Sequence, residues 1–241
     1  MQNEPGGLFA GKVIEVESID STNTRLKQLA EEGAPEGTVL MAGEQTAGRG
    51  TGDRSFFSPK GEGLYLSVLL RPGASVADLL TLTGRCAAAV RDGIARACGA
   101  PCQIKWLNDI YLNGRKVCGI LAELSPRCDW VVLGVGINLS QTAETFAAQG
   151  LGEIATSLAA EGYPVSREKL AAAVLEELET MCRTFPAGKE EYLARYRAHC
   201  LTLGRQVNGG LAVEIDDDFA LVVERGTERH TVYSVGEGVG P

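Results

Sequence analysis

Residues 45–54 combine the residue types that hold phosphate groups in proteins. Their sequence is Gln-Thr-Ala-Gly-Arg-Gly-Thr-Gly-Asp-Arg, with Arg49 and Arg54 set among three glycines. Glycine lets the backbone approach an anion closely, so successive N–H groups can surround it. Arginine can donate bidentate hydrogen bonds to a phosphate or a carboxylate. No Gly-Lys-Ser/Thr follows and no helix is predicted here, which excludes a Walker A loop and a dinucleotide-binding fingerprint. On composition alone, a flexible basic hairpin explains the segment equally well.

Two lysines and an aspartate form a second candidate group. Lys105 ends a predicted strand and is followed by Trp-Leu-Asn108-Asp109, and Lys116 lies inside the next predicted strand. On adjoining strands these side chains could clamp a nucleotide and its metal ion, because phosphoryl chemistry depends on concentrated positive charge. Surface lysines and a tight turn at Asn108-Asp109 are the alternative explanation.

Two further segments are compatible with a ligand site. Gly134-Val-Gly-Ile-Asn138 places small residues in an apolar strand, which weakens the strand unless another group, such as a ligand, must approach closely. Asp20-Ser-Thr-Asn23 is typical of a helix N-cap and would leave at least one hydroxyl free to face a ligand. Neither pattern is specific when taken singly.

The elements that must position these residues are a mixture of strands and helices. Strands are predicted at 12–17, 38–43, 64–70, 102–106, 115–123 and 130–138, the last buried on both faces. Helices are predicted at 22–32, at 76–98 with Ser75 and Asp78 as its cap, at 166–185 and at 188–200. From residue 203 onward, short runs divided by turn residues predict a small antiparallel barrel. The fold class is therefore α+β, with a domain at 1–202 and a small β domain at 203–241.

Composition excludes several classes of protein. The chain has 241 residues and a net charge of −8, and it contains no basic run, so nucleic acid is not expected as a partner. No apolar stretch approaches the roughly 20 residues that span a bilayer, and the first residues lack the pattern of a signal peptide. Seven cysteines without a Cys-x-x-Cys pair indicate reduced thiols in a cytoplasmic protein, and a structural zinc site is not expected.

The order of the motifs is more specific than any one of them. Along the chain they run Ser21-Thr-Asn, Gln45-Thr-Ala-Gly-Arg-Gly, Phe57-Ser-Pro, Gly63-Leu-Tyr-Leu-Ser67, Lys105-Trp-x-Asn-Asp109, Lys116-x-x-Gly-Ile-Leu-x-Glu123 and Gly134-x-Gly-Ile-Asn138. This series closely resembles the biotin protein ligases over about residues 12–235. The resemblance implies a mixed-sheet catalytic domain of the class II synthetase and biotin ligase type, followed by a small C-terminal SH3-like β-barrel. Because Ser21 lies near the N-terminus, the chain resembles the short form without an N-terminal DNA-binding domain.

The resemblance also implies a reaction and its partners. The family uses ATP and Mg²⁺ to activate biotin as biotinyl-5′-AMP, with release of pyrophosphate. It then transfers biotin to a lysine of a biotin carboxyl carrier protein, which belongs to acetyl-CoA carboxylase or another biotin-dependent carboxylase. The chain is accordingly expected to be a cytoplasmic ligase that binds neither nucleic acid nor membrane. The resemblance leaves its oligomeric state open and allows a homodimer.

Matching to the family motifs assigns a role to each residue in turn. The catalytic group is Arg49, Lys105, Asp109 and Lys116. Biotin binding is assigned to Ser21, Thr22, Gln45, Gly48, Arg49, Lys116, Gly119, Leu121 and Gly134. ATP binding is assigned to Arg49, Gly50, Arg54, Lys105, Asn108 and Asn138, with Leu151 the nearest candidate to cover adenine. No metal motif is present, and Asp109 would steer either a metal ion or the incoming lysine.

Three residues depart from the family pattern. Thr51 stands where the family loop carries an arginine that helps to order it over phosphate, Asp53 adds a negative charge, and Leu107 replaces a proline. The C-terminal barrel is also short by several residues, which puts its first hairpin in doubt. A neutral threonine lacks a charge-assisted contact, so the adenylate is expected to leak more readily than from relatives with the arginine, unless Arg54 compensates.

Two alternative functions belong to different classes. One is a lipoate or octanoate ligase or transferase of the related fold, and the other is a catalytically weak protein that only binds biotin. Gln45-x-x-Gly-Arg-Gly and Lys105-Trp-x-Asn-Asp favour biotin over lipoate. The presence of Lys105, Asp109 and Lys116 favours catalysis over binding alone.

Overall fold

The computed structural model describes residues 7–207 and 209–233, and a seven-stranded mixed sheet forms its centre. The strands are β1 Val13–Val16, β2 Val39–Ala42, β3 Gly63–Leu70, β4 Gln103–Lys105, β5 Asp109–Leu112, β6 Arg115–Leu124 and β7 Val131–Asn138. Their spatial order is β1-β2-β3-β7-β6-β5-β4. Strands β1 and β2 are parallel, and the other neighbouring pairs are antiparallel. The predicted α+β class with a mixed sheet is confirmed.

The two central strands are buried along their whole length. Strand β3 pairs with β7 from Gly63 opposite Asn138 to Leu70 opposite Val131, and every residue of both strands is buried. Such continuous apolar runs are stable only where other elements cover both faces of a sheet. The prediction that residues 130–138 are buried on both faces is confirmed.

Helices cover both faces of this sheet. They are α1 Thr22–Glu31, α2 Val76–Leu80, α3 Leu82–Cys98, α4 Ala143–Ala148, α5 Arg167–Thr184 and α6 Lys189–His199. Helix α3 packs against α5, α6 and β6, whereas α1 packs against β2, β3 and β7.

Strand β3 contributes side chains to both of these layers, because successive strand residues point to opposite faces. Leu66, Val68 and Leu70 belong to the large core on the α3 side, whereas Leu69 faces the α1 side. The smaller core on the α1 side consists of Leu69 together with Leu26, Ala30, Leu40, Trp130 and Val132.

One predicted helix is wrong in its extent. Residues 76–98 form two helices, α2 and α3, which are interrupted at Thr81. The Thr81 backbone N–H and its hydroxyl both donate to the carbonyl of Asp78, at 3.0 and 2.6 Å. This local side-chain bond competes with the regular helical pattern. The predicted cap is confirmed, because the Asp78 N–H donates to the Ser75 hydroxyl at 3.2 Å.

Two short elements are absent from the prediction. Strand β5 begins at Asp109, which pairs with Lys105 across a hairpin, so the turn lies at residues 106–108 rather than at Asn108-Asp109. Helix α4, at Ala143–Ala148, is also new. Both elements are shorter than the windows over which hydrophobic periodicity can be recognised.

The C-terminal segment forms an open sheet. Strands β8 Gln206–Val207, β9 Gly210–Ile215, β10 Leu221–Arg225 and β11 Glu228–Val232 are antiparallel, in the order β11-β10-β9-β8. The predicted antiparallel hairpins are present, but within the described residues the sheet does not close into a barrel. Strand β8 has only two residues, which limits its pairing. Residues 234–241 of the predicted small β domain lie outside the described residues.

Phe219 joins this sheet to the main domain. Its ring meets the edge of the Tyr196 ring at 5.4 Å and 87°, and its carbonyl accepts a hydrogen bond from the Trp106 indole N–H at 2.8 Å. Residues of both parts belong to one apolar core. The boundary at residue 203 therefore stays a prediction, and the two parts share buried surface across it.

The remaining general expectations concern thiols and membranes. All seven cysteines are free, and burial raises the pKa of the Cys86 and Cys102 thiols to about 12. These thiols therefore stay protonated and unreactive near neutral pH. The helices in the described ranges lack the combination of length and hydrophobicity that a bilayer-spanning helix needs.

Gly84 tests the docking of the C-terminal sheet. A Cβ atom at this position of α3 would lie 2.2 Å from Cδ1 of Phe219. Alanine is favoured over glycine inside a helix by about 1 kcal/mol, but overpacking costs typically about 1–3 kcal/mol. We expect Gly84→Ala to lower the melting temperature by several degrees. In a double variant with Phe219→Leu, the loss should be smaller than the sum of the single losses, and a rise in melting temperature for Gly84→Ala alone would contradict the packing.

Candidate active site

One cavity of about 650 Å³ gathers almost all of the predicted site residues. It lies between the start of α1, the 45–57 loop, strands β4–β7 and residues 146–155. The predicted residues that line it are Ser21, Thr22, Gln45, Arg49, Gly50, Arg54, Lys105, Asn108, Asp109, Lys116, Gly119, Leu121, Gly134, Asn138 and Leu151. Gly48 is not among the lining residues. It lies against the loop itself, where a Cβ atom would meet the Phe56 carbonyl at 2.3 Å.

One end of the cavity is lined by neutral hydroxyl and amide side chains. Ser21 is the N-cap of α1 and accepts the Thr24 N–H at 3.4 Å. The backbone N–H and the hydroxyl of Thr22 lie 2.9 and 3.1 Å from Oε1 of Gln45, and Nε2 of Gln45 donates to the Ser58 hydroxyl at 2.9 Å. The hydroxyl of Thr22 is therefore already bonded to protein groups. The prediction of at least one free hydroxyl in this motif rests on Ser21, whose hydroxyl accepts the Thr24 N–H.

A buried serine extends the polar end into the sheet. The Ser67 hydroxyl lies 2.7 Å from Oγ1 of Thr22 and 2.6 Å from Oδ1 of Asn23. A Cβ atom at residue 134 would lie only 2.2 Å from that Asn23 oxygen. The group that requires glycine at this position is thus the Asn23 side chain. Asn23 and Ser67 stand in the quoted motifs, but the sequence alone assigns neither of them a contact.

The middle of the cavity has an apolar floor. The Phe56 ring lies on Gly136, where a Cβ atom would be 2.5 Å from the ring, and close to Gly119, where the distance would be 3.2 Å. The Lys116 ammonium lies 5.9 Å from the centre of the same ring. Phe56 is absent from the residues predicted for the site, and its position two residues after the glycine-arginine loop, residues 45–54, is the signal that could have identified it.

The opposite end is charged, and three neighbouring strands build it. Lys105, Asp109 and Lys116 lie on β4, β5 and β6, which confirms that they share adjoining strands. Nζ of Lys116 lies 2.7 Å from Oδ1 of Asp109. Lys105 lies over the Tyr111 ring at 5.2 Å and forms no ion pair with a carboxylate among the described residues. Burial, and then the Asp109 charge, raise the pKa of the Tyr111 hydroxyl. This end of the cavity therefore offers a cation for an anionic ligand.

The glycine-arginine loop closes on itself and on the sheet. The Gly50 N–H donates to the Arg54 carbonyl at 2.7 Å, and Nε of Arg54 donates to the Thr51 carbonyl at 3.1 Å. Nδ2 of Asn108 donates to the Thr51 hydroxyl at 3.1 Å and to the Ile120 carbonyl at 2.7 Å. The residue that replaces the family arginine thus provides a neutral tether between the tip of the loop and the sheet.

The carboxylate of Glu123, which is not among the residues that line the cavity, contacts three donor side chains. Its Oε1 lies 2.6 Å from Nζ of Lys27 and 3.2 Å from a guanidinium nitrogen of Arg49, and its Oε2 accepts from Nδ2 of Asn23 at 2.9 Å. Burial alone would raise the pKa of Glu123. The hydrogen bonds from Lys27 and Asn23 and the charges of Lys27 and Arg49 outweigh burial, so the pKa lies below its ordinary value of 4.5.

Asn138 lies beside an apolar wall at the far side of the cavity. Its Nδ2 donates to the Thr156 carbonyl at 2.9 Å. The wall consists of Phe146, Leu151, Ile154 and Ala155. No group of three or more metal-binding side chains occurs in the described part of the chain.

The model of the biotin/lipoate A/B protein ligase family matches residues 15–138, and the chain belongs to this family. The bifunctional ligase/repressor BirA of Bacillus subtilis is 35% identical over 235 residues, which are 92% of this chain and 72% of the relative. The biotin--[acetyl-CoA-carboxylase] ligase of Mycobacterium tuberculosis is 33% identical and covers 93% and 87% of the two chains. The solved biotin protein ligase of Aquifex aeolicus in complex with biotin and ATP has a TM-score of 0.78 and 27% identity, and covers 93% and 96%.

The lowered pKa of Glu123 predicts a pH-dependent contribution to stability. Its ionised form stabilises the folded chain above about pH 4.5, the ordinary value, and this stabilisation is lost as the pH falls through the lower pKa of the folded state. We expect Glu123→Gln to lower the melting temperature near neutral pH, and the difference from wild type to shrink in acid. Glu31→Gln, at an exposed position, is the matched control. A difference that grows as the pH falls would contradict the assignment.

Proposed function

We propose that this chain activates biotin with ATP as biotinyl-5′-AMP and transfers it to a lysine of a biotin carboxyl carrier protein. The observation that carries this proposal is the layout of the cavity, in which a neutral polar end, an apolar floor and a cationic end follow one another. Biotin has the same order of groups, because its neutral ureido ring is joined through an apolar part to a carboxylate. The relatives named above support the same reaction.

The neutral end suits the ureido group. A neutral group with both donors and acceptors needs paired partners in a largely dry pocket. Ser21, Thr22, Gln45 and the backbone of Arg49 are proposed to provide them, with the bonds between Thr22 and Gln45 exchanged for bonds to biotin. Gly119 and Leu121 are proposed to surround the apolar rings and chain, with Phe56 as an additional apolar contact. Gly134 is proposed to act by making room for the Asn23 side chain, and Gly48 by letting the loop backbone approach Phe56, because neither glycine leaves free space for the ligand itself.

The cationic end suits the first half-reaction. A biotin carboxylate oxygen attacks the α-phosphorus of ATP, an acyl–phosphate bond forms, and the bond to pyrophosphate breaks. Because negative charge shifts among the phosphate oxygens, fixed positive charge stabilises the transition state. Lys105 and Lys116 are proposed to supply it, and the ion pair with Asp109 orients the Lys116 ammonium. Arg49, which the family motif also assigns to this charge, is paired with Glu123 instead and is proposed to contribute through the loop that it holds.

The second half-reaction transfers the acyl group. The carrier lysine amine attacks the acyl carbon, the carbon–oxygen bond to AMP breaks, and the amine loses a proton as the amide forms. Asp109 lines the cavity and pairs with Lys116, and it is proposed to steer either the incoming lysine or a metal ion.

ATP is proposed to lie between the loop and the apolar wall. Gly50, Arg54, Lys105 and Asn108 would contact its phosphates, and Asn138 its adenine, with Leu151 as part of the cover. Mg²⁺ usually binds through one or two carboxylates together with substrate phosphates, and a cavity with Asp109 fits an ion carried mainly by the nucleotide. When bound, Mg²⁺ would neutralise part of the triphosphate charge.

The partner and the location follow from the same proposal. The carrier is proposed to be a subunit or domain of acetyl-CoA carboxylase or of another biotin-dependent carboxylase. The seven free thiols support a cytoplasmic location, where thiols stay reduced. A homodimer stays a prediction.

The experiment that tests the function is an exchange of labelled pyrophosphate into ATP with biotin or lipoate as the acid. Exchange that occurs with biotin and not with lipoate supports the proposal. A preference for lipoate would favour the related ligases, and tight biotin binding without exchange would favour a protein that only binds biotin.

Lys116→Ala tests the role of the ammonium in adenylation. We expect adenylate formation in a single turnover to fall about a hundredfold or more, while biotin affinity falls far less, because the ureido end lies elsewhere in the cavity. Lys60→Ala, at an exposed lysine outside the cavity, is the control and should change neither quantity. An equal loss of affinity and rate would make Lys116 a ground-state contact only.

Thr51 tests the retention of the adenylate. Loss of a neutral hydrogen bond costs about 0.5–1.5 kcal/mol, which corresponds to about a two- to tenfold effect. Thr51→Val removes the tether to Asn108 and should raise the random biotinylation of a bystander such as albumin by this factor. Thr51→Ser keeps the hydroxyl and should resemble wild type, and Thr51→Arg should lower the labelling. Equal labelling by all four proteins would show that the rest of the loop holds the adenylate.

A further inference from the structure

Glu123 ends one of the sequence motifs but has no role in the reaction described above. It lies on β6, two residues after Leu121, and is not among the residues that line the cavity. Its side chain is 17% exposed. A largely buried carboxylate is costly unless charged or hydrogen-bonding partners compensate it, so its contacts indicate what it holds.

Those partners come from two separate parts of the chain. Asn23 and Lys27 belong to α1, at 2.9 and 2.6 Å, whereas Arg49 belongs to the glycine-arginine loop, at 3.2 Å. The Thr46 and Ala47 N–H groups already tie the beginning of the loop to the backbone just before α1. Beyond Ala47, the side chain of Arg49 adds an ionic contact between the loop and the body of the protein.

The contacts form a nearly continuous ring around the polar end of the cavity. From Glu123 the hydrogen bonds run through Asn23 and Ser67 to Thr22, and from Thr22 to Gln45. They continue from Gln45 through the Ser58 hydroxyl to the Phe56 carbonyl, which returns to the loop. The ion pair between Glu123 and Arg49 closes the ring, so both limbs of the loop are joined to the start of α1.

We propose that Glu123 is a positioning residue for biotin binding, which holds Arg49 so that the loop backbone and the start of α1 face one ligand together. This inference rests on the proposed function. Glu123 acts through Arg49 and Asn23 and does not itself contact the ligand. Hydrogen-bonded networks of this kind lose more than one contact when a member is removed.

The charge of Glu123 is essential to this role. In Glu123→Gln the amide oxygen can still accept from Asn23, but the amide nitrogen then faces the ammonium of Lys27 and the guanidinium of Arg49. Both are donors without an acceptor on that side. Of these two partners, we expect Arg49 to move away from residue 123, because its side chain is 44% exposed and belongs to a loop.

The test compares Glu123→Gln, Arg49→Gln, their double variant and Lys27→Gln. Biotin affinity is measured without nucleotide. The rate of trypsin cleavage after Arg54, a residue that every variant retains, is measured well below the melting temperature. Cleavage after Lys60 serves as the internal reference. We expect Glu123→Gln and Arg49→Gln each to weaken biotin binding about fivefold and to speed cleavage after Arg54. The double variant should be no worse than Arg49→Gln, and Lys27→Gln should stay within about twofold of wild type.

Three results would overturn the proposal. The first is that Glu123→Gln changes neither biotin affinity nor the rate of cleavage. The second is that the losses of biotin affinity add up in the double variant. The third is that Lys27→Gln loses as much affinity as Glu123→Gln, which would mean that Glu123 acts by stabilising α1. If the wild-type chain binds no biotin, the proposed function fails, whereas the cleavage rates still decide whether Glu123 anchors the loop.

Discussion

The ion pair between Lys116 and Asp109, with 2.7 Å between the charged atoms, sets the geometry of the charged end of the cavity. Both side chains are partly exposed, at 30% and 22%, and such a pair adds little to stability. Its effect is geometric, because it fixes an ammonium group at one end of the cavity. The antiparallel strands β5 and β6 bring the two residues together, and the tight β4–β5 hairpin adds Lys105 beside them.

The remainder of the fold keeps this charged end at a fixed distance from the polar end. The buried strands β3 and β7 lie between α1 and the helices on the other face, so the part of the sheet next to the cavity is packed on both faces. Close packing leaves no space above Gly134 and Gly136, where Asn23 and Phe56 lie. The Glu123 contacts then join the glycine-arginine loop to this frame.

Long and strongly patterned elements are predicted well from the sequence. The helices α1, α5 and α6 and the buried strand β7 agree with their periodicity, and the order of motifs alone identifies the charged group. The break at Thr81, the short strand β5 and the open C-terminal sheet are not predicted, because they depend on single side-chain bonds or on very few residues.

The same limit applies inside the site. Residue types show that Lys105, Asp109 and Lys116 suit phosphate chemistry, but not that Asp109 pairs with Lys116 while Lys105 stays without a carboxylate partner in the described chain. Gly134 signals a close approach, and only the fold shows that Asn23 makes it. The sequence around Glu123 does not indicate which residues it contacts, since its partners are distant in sequence, and only its place in a motif marks it.

Biotin transfer is tested most directly by a mass spectrum of a biotin carboxyl carrier domain after incubation with this protein, ATP, Mg²⁺ and biotin. The proposed reaction predicts that one lysine gains one biotin through an amide bond and that the gain requires ATP. A carrier with arginine at the target lysine should gain nothing. A carrier that stays unmodified while the protein is folded and binds biotin would contradict the proposed reaction.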